Sequence, residues 1–260
     1  MALFSSSNCD LVGMVHLEPL PGSPGWAGDL NGIEARAIQD AESLIQAGCS
    51  ALIVENMGDR PYLNGSVYPE TAAAMTRIVR EIVRLECPVG VQVLAGANQQ
   101  ALAIAFATGA SFIRVEAFAY GHVADEGWMD ACAAELLRAR ANLGSSIAVW
   151  ADVQKKHASH ALTSDLNLEE LAHGTAFSGA DVLVVTGPRT GSPTSLVDVQ
   201  SAAVAGLPVA VGSGVTPQDA GALSKYASAL IVGSYCKRDG DWRNPVDQQR
   251  VRELWESIQH

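Results

Sequence analysis

The 260-residue sequence predicts an α/β fold, a single (β/α)8 barrel of the phosphate-binding type formed by residues 1–260 as one domain. Three observations predict it. Eight apolar, β-branched runs recur along the chain, helical patterns lie between them, and the last two runs both stop on Gly-Ser. The runs are nearly continuous in hydrophobicity rather than alternating, as parallel strands covered on both faces should be. At 48% hydrophobic residues, a chain of this length can bury one large core. A doubly wound open sheet is the competing arrangement. Eight strands without an obvious edge strand, and a closing helix over residues 245–258, favour the barrel.

Each element has its own warrant in the chain. The first strand, residues 11–16, ends on His16 and runs into a stiff Pro/Gly-dense loop that carries Glu18. The helix after it places Ile33, Ala37, Ala41, Leu44 and Ile45 on one face, and the next helix does so with Met75, Ile78, Val79, Ile82 and Val83. The second strand, 51–55, ends on Glu55; the third is 89–94. In the fourth, 111–116, Arg114 and Glu116 have the same parity and therefore point to the same side. The fifth strand, 147–152, ends on Asp152, and the sixth, 181–186, exits through Thr186-Gly187 towards Arg189, Thr190 and Gly191. The seventh and eighth are 208–212 and 229–233. Gly48, Gly109, Gly144, Gly179 and Gly206 fall where helix C-termini need a residue of positive φ, while Asn167 with Glu170 and Thr216-Pro217 mark helix starts.

The links also say which end of the barrel is elaborated. Helix-to-strand links take two or three residues, whereas those after strands, at 17–31, 56–67, 117–126, 153–166 and 234–244, are long. Function is therefore expected at the C-terminal ends of the strands. There Gly212, Ser213, Gly214 and Val215 after the seventh strand, and Gly233 and Ser234 after the eighth, let backbone N–H groups approach an anion. The helix opening at Thr216-Pro217 adds its dipole. Loops after strands seven and eight are the common phosphate site of such barrels.

Composition narrows the function classes. A net charge of −11 argues against nucleic acid and anionic membranes as partners. Five scattered cysteines without a C-x-x-C fit reduced thiols in the cytoplasm. No apolar run approaches the roughly 20 residues of a membrane span, and the first eight residues lack a secretory pattern. Membrane insertion is not expected. A homo-oligomer is expected on general grounds. No Walker A loop or nucleophile elbow is present, so no nucleotide cofactor is assigned.

The candidate catalytic residues are His16, Glu55, Glu116, Asp152, Lys156 and His157, which the barrel brings to one mouth. Converging carboxylates either raise one another's pKa for acid/base work or hold a divalent cation, with Glu55, Glu116 and Asp152 as the ligands. Neutralisation by Arg60, Arg114 and Lys156 in a salt-bridge ring is the plain structural alternative. A lysine after the fifth strand can bind an anion, transfer a proton or form a Schiff base; the first two are favoured. His157 and His160 form a weak metal pair without a third ligand. Asn56, Arg114, Thr186 and Gly187 join the glycine loops as candidate substrate contacts. Trp26, Tyr120, His122 and Trp128 lie in or beside long loops and can fold over a ligand or seal a loop's own core.

Five segments together resemble the BtpA/SgcQ family: 13–24 (Gly-Met-Val-His-Leu-Glu-Pro-Leu-Pro-Gly-Ser-Pro), 54–59 (Val-Glu-Asn-Met-Gly-Asp), 113–116 (Ile-Arg-Val-Glu), 121–127 (Gly-His-Val-Ala-Asp-Glu-Gly) and 152–160. The resemblance implies a TIM barrel of phosphate-binding type over nearly the whole chain. It carries over His16, Glu55, Asn56, Asp59, Arg114, Asp152, Lys156 and His157. It implies no single reaction, since members are linked to photosystem I biogenesis, to sugar-phosphotransferase components and to a nucleoside-triphosphatase label. The family's strand-five exit resembles Asp-(Ile/Val)-Lys-x-Lys-His, and this chain has Gln154 at the first lysine. Together these readings lead to an enzyme acting on a small phosphorylated metabolite, a sugar or nucleoside phosphate, by aldolase- or epimerase-like acid/base chemistry of the lyase or isomerase type. The alternatives are a non-catalytic biogenesis factor and a metal-dependent hydrolase.

Overall fold

The computed structural model describes residues 9–187 and 193–259. Its strands are β1 (Asp10–His16), β2 (Ala51–Glu55), β3 (Val89–Gln92), β4 (Phe112–Val115), β5 (His122–Ala124), β6 (Gly127–Met129), β7 (Ala148–Asp152), β8 (Ala158–Ser159), β9 (Val182–Val185), β10 (Val209–Val211) and β11 (Ala229–Val232). The helices are α1 (Leu30–Gln46), α2 (Pro69–Val83), α3 (Asn98–Thr108), α4 (Ala133–Asn142), α5 (Leu168–Phe177), α6 (Leu196–Ala203), α7 (Pro217–Leu223) and α8 (Gln248–Ser257). Eight parallel strands close in the order β1-β11-β10-β9-β7-β4-β3-β2. Because β1 pairs with both β2 and β11, this sheet has no free edge. The expected (β/α)8 TIM barrel is the observed fold.

Side-chain parity builds the barrel in two hydrophobic layers. Outward-facing residues such as Leu11, Val15, Leu52, Val54 and Val91 meet the helices, which present the apolar stripes read from their periodicity: Ile33, Ala37, Ala41 and Leu44 on α1, and Met75, Ile78, Val79 and Ile82 on α2. Inward-facing residues fill the barrel itself, among them Val12, Met14, Ile53, Val184 and Ile231. At its floor Phe112 stacks on Trp150, with centroids 4.2 Å apart and planes 20° apart. These two large rings fit because their neighbours are small. A Cβ added at Gly90 would collide with Phe112, and Ala51, Ala210 and Ala229 complete the same layer.

The same parity, followed to the strand ends, sets the mouth. Val12 and Met14 face inward, so His16 does too; Glu55 follows Ala51 and Ile53, and Arg114 follows Phe112. Apolar alternation thus becomes a polar ring two residues later. All five glycines expected beyond helix C-termini have positive φ, and both expected helix starts are found, α5 opening on the Asn167–Glu170 capping box and α7 on Thr216-Pro217.

Some features were not legible in the sequence. Helix-to-strand links such as 47–50 and 84–88 run to four and five residues rather than two or three, because a C-cap turn precedes each strand. A three-stranded antiparallel sheet of β6, β5 and β8 rises from the mouth. Its strands have two or three residues, too few for a periodicity to register. Residues 188–192, which contain Arg189, Thr190 and Gly191 of the sixth exit, lie outside the described residues, as do residues 1–8. No described helix is long and apolar enough to cross a membrane.

Candidate active site

A cavity of about 350 Å³ opens at the C-terminal mouth of the barrel. Its wall is formed on one side by His16, Glu55, Gln92, Arg114, Glu116, Lys156 and His157, and on the other by residues 212–216 and 233–235. The first wall is side chain and the second is largely backbone. That division suits a ligand with a reacting end and an anionic end.

The backbone wall depends on glycine. A Cβ at Gly212 would lie 2.7 Å from Thr186 Cγ2 and 3.0 Å from Arg114 Nη2, so only glycine lets β10 end against the Arg114 guanidinium. A Cβ at Gly233 would lie 3.0 Å from His16 Cε1. Ser213 is fixed by accepting from the Gly187 N–H at 3.0 Å, and its carbonyl accepts from Thr194 Oγ1 at 3.1 Å. Among the described residues none accepts from the N–H groups of Gly214, Val215 or Ser234. Ser234 opens a short 3-10 helix, Ser234–Cys236, the usual last component of a phosphate cradle in this fold. The expected contribution from the start of α7 is smaller at Thr216 itself, whose N–H donates to Asp219 Oδ1 at 2.7 Å within the capping box.

The side-chain wall is a network of charges desolvated by the barrel. Arg114 donates from Nε to Asp152 Oδ1 at 3.0 Å and from Nη2 to Asp152 Oδ2 at 3.3 Å, and both residues are buried. Burial opposes the Arg114 charge, but Asp152, Glu55 and Glu116 hold it on, and its pKa is raised. Asp152 does not line the cavity; its carboxylate orients the arginine that does. His16 Nε2 lies 3.6 Å from Glu55 Oε2. Burial, with Lys237 and Lys156 nearby, pushes His16 well below its ordinary pKa, so it is neutral at physiological pH. Its Nδ1 is buried and has no hydrogen-bond partner among the described residues, nor has Gln92 Oε1.

Two carboxyls of the wall have raised pKa values. Burial raises Glu55 against the pull of Arg114 and Lys156. It raises Glu116 further, to about 7, against the pull of Lys155, with Asp152 adding to the rise. Glu116 Oε2 accepts from the Gly96 N–H at 2.9 Å, which fixes the carboxyl in place. Lys156 is lowered by burial and by the neighbouring Arg114. Among the described residues no carboxylate closes an ion pair with it, although Glu55, Asp152 and Glu116 all act on its charge.

The adjacent lysine plays a different part, which sequence reasoning missed. Lys155 Nζ donates to Glu126 Oε2 at 2.9 Å and lies 3.9 Å from both Glu116 Oε1 and Asp125 Oδ1. Asp125 and Glu126 sit at the turn of the β5–β6 hairpin, so Lys155 latches this small sheet over the mouth. Within that sheet His122 packs on His160, ring centroids 5.1 Å apart, while Trp128 is 49% exposed. Only the Asp-Glu pair within residues 121–127 hinted at a charged turn.

The structure brings His16, Glu55, Glu116, Lys156, His157 and Arg114 to one cavity with residues 212–215 and Gly233-Ser234. It does not bring Asn56, Asp152, Thr186 or Gly187 to the cavity wall. Asn56 instead clamps two exits: its Oδ1 accepts from the Leu94 N–H at 2.7 Å and its Nδ2 donates to Asp59 Oδ2 at 3.0 Å. Asp59 Oδ1 in turn accepts from the Leu20 N–H at 2.7 Å, tying down the first loop. Thr186 Oγ1 donates to the Gln154 carbonyl at 3.4 Å. Glu55, Glu116 and Asp152 do not form a ligand set, since the described residues contain no group of three or more His, Cys, Asp or Glu arranged to hold a metal ion. Gln92 and Tyr62, both in the wall, went unnoticed in the sequence. Gln92 was detectable by parity, being a polar residue on an otherwise apolar strand.

Behind His16 lies a second cavity of about 400 Å³ lined by Arg36, Arg60, Trp242 and Arg243 among others. Arg60 and Arg243 each lie over the Trp242 ring, 5.2 and 5.1 Å from its centroid, and the ring meets His16 edge-on at 6.1 Å. Trp242 therefore packs against the edge of the imidazole.

The BtpA family model matches residues 7–260. An uncharacterised mitochondrial protein of Caenorhabditis elegans is 38% identical over 264 residues, covering 98% of this chain and 95% of the relative. The photosystem I biogenesis protein BtpA of Synechocystis is 39% identical over 252 residues, covering 95% and 87%. Among solved structures, N-(5'-phosphoribosyl)anthranilate isomerase from Pyrococcus furiosus superposes with a TM-score of 0.58 at 15% identity, covering 96% of this chain and 98% of that one. Tryptophan synthase from Mycobacterium tuberculosis does so at 0.62 and 15% identity, covering 97% and 93%. At such identities these likenesses establish the fold.

Proposed function

The chain belongs to the BtpA family, and from that premise we propose that it is an enzyme that binds a small phosphorylated metabolite, a sugar or nucleoside phosphate, and carries out acid/base chemistry of the lyase or isomerase type. One observation carries this reading. Two buried carboxyls with raised pKa, Glu55 and Glu116, face a cavity whose opposite wall is the backbone of residues 212–215 and 233–234. The phosphate sits on that backbone and positions the reacting carbon near Glu116, Lys156 and the His16–Glu55 pair. Glu116, poised near neutrality, takes the proton; Arg114, held by Asp152, stabilises the negative charge that develops. Phosphate binding remote from the reacting carbon supplies the orientation. Two of the solved neighbours are named as phosphoribosyl anthranilate isomerases, which agrees with the reading.

The test is a turnover screen of sugar and nucleoside phosphates, followed by comparison of an active compound with its dephosphorylated form. Loss of the phosphate is expected to lower kcat/KM at least about a hundredfold, roughly 3 kcal/mol of transition-state stabilisation. An unchanged value would remove the phosphate cradle from the account. The Synechocystis relative's name favours a second reading, a non-catalytic biogenesis factor. That reading requires a Glu116→Gln chain to support photosystem I accumulation in place of the relative as well as the unaltered chain does.

A further inference from the structure

We infer that Lys156 Nζ condenses with the carbonyl carbon of a phosphorylated aldehyde or ketone bound in the mouth, holding the substrate as an imine. This rests on the proposed phosphate cradle and narrows its substrate to a carbonyl compound. The inference begins with the contrast between two adjacent lysines. Lys155 is spent on structure, its ammonium bound to Glu126 and close to Asp125 and Glu116. Lys156 enters the same cavity, and no carboxylate among the described residues closes an ion pair with it. A lysine placed only to hold an anion keeps a full charge. Lys156 instead shares the mouth with the buried Arg114 cation, and desolvation and that neighbour both favour its neutral, nucleophilic form.

The surrounding groups complete the chemistry without a further reagent. The neutral amine donates its electron pair to the carbonyl carbon, and the C=O π pair moves to oxygen, which takes a proton from the acid form of Glu116. The carbinolamine nitrogen loses a proton to a neighbouring carboxylate. A second proton transfer to the hydroxyl releases it as water while the nitrogen lone pair forms the C=N bond. Counting the proton of the initial ammonium, a carbonyl and a lysine ammonium give a protonated imine and one water. The iminium then accepts the electron pair of the C–H bond on the adjacent carbon, or of a C–C bond whose far carbon bears a hydroxyl that loses its proton as the fragment leaves as an aldehyde or ketone. The same Glu116, ionised after giving up its proton, is available to take the one released. A carboxyl near pKa 7 is suited to both directions, and its place is fixed by the Gly96 N–H. Arg114 stands beside Gly212 and close enough to Lys156 to act on its charge, and can orient the oxygen of the carbonyl before attack.

Pyridoxal 5'-phosphate, an aldehyde that carries a phosphate, is the probe. The full-length protein is incubated with it near pH 7, reduced with borohydride, which delivers hydride to the iminium carbon, and digested for mass spectrometry. A stable pyridoxyl group is expected on Lys156, formed at least about tenfold faster than on any other lysine. It should be suppressed by inorganic phosphate, be weaker with unphosphorylated pyridoxal, and vanish in a Lys156→Arg protein whose circular dichroism is unchanged. Labelling of Lys155 or surface lysines with Lys156 unmodified would overturn the inference. Inorganic phosphate binding, measured separately by calorimetry, separates the two claims. If phosphate binds and Lys156 stays unlabelled, the imine is wrong and the cradle stands. If Lys156 is labelled but phosphate neither binds nor protects, the cradle is wrong and the reactive lysine stands.

Discussion

At the residue scale, the chemistry is set by desolvation rather than by any unusual side chain. Glu116 and Glu55 are ordinary carboxylic acids, and what distinguishes them is the polar ring that the barrel closes around them. Glu116, raised to about 7, predicts that kcat/KM shows an inflection near pH 7, and that Glu116→Gln removes both the inflection and most of the activity. The same shift has a stability sign. A carboxyl whose folded-state pKa lies above its unfolded value binds more protons when folded, so stability falls as pH rises between about 4.5 and about 7. Glu116→Gln should therefore be more stable to denaturant than the unaltered protein at pH 8, by on the order of 3 kcal/mol, and show little difference at pH 4. Most of these residues were visible in the chain: His16, Glu55, Glu116 and Lys156 are polar residues at or just past the ends of apolar runs. Lys155 and Glu126 were not visible in these roles, because their pairing spans 29 positions and depends on a small sheet no periodicity announces. Asp152 and Asn56 were visible as polar exits, and Arg114 as one of the cations able to neutralise the acidic ring; the pairing of Arg114 with Asp152 in particular, and the bond from Leu94 to Asn56, were not.

At the element scale, the barrel positions the site through glycine and through the ends of its strands. Gly212 lets β10 finish against Arg114 and Thr186, with no space for a methyl group. Gly212→Ala is expected to fold, since the clash is at a strand end, but to displace Arg114 from Asp152 and lower kcat/KM by roughly tenfold to a hundredfold, about 1–3 kcal/mol. The measurement is steady-state kinetics beside a melting curve; full activity with normal melting would show that Arg114 needs no such approach. The strand and helix pattern was legible because continuous apolar runs and helical stripes are long-range regularities of a closed parallel barrel. Strand ends were less so. The third strand stops at Gln92 rather than residue 94 because the chain turns there into the Leu94–Asn56 clamp, a tertiary bond.

At the scale of the whole molecule, two walls of different origin meet over one barrel mouth. The walls come from opposite ends of the chain: the first two barrel strands, with β4 and the segment after β7, supply acids and cations, and the last two supply bare backbone. In the closed order β4 and β3 lie across the barrel from β11 and β10, which makes the two walls face each other, while β1 joins them at the side. This convergence was the least local property of the sequence, yet it followed once eight strands had been counted. The central claim is that the 212–215 and 233–234 backbone holds a phosphate opposite Glu116 and Lys156. The most direct measurement is a crystal structure of the protein grown in inorganic phosphate. The account predicts an anion with the N–H groups of Gly214, Val215 and Ser234 within about 3 Å of its oxygens. An empty cradle, or phosphate held instead on Arg60 and Arg243 beside Trp242, would contradict it.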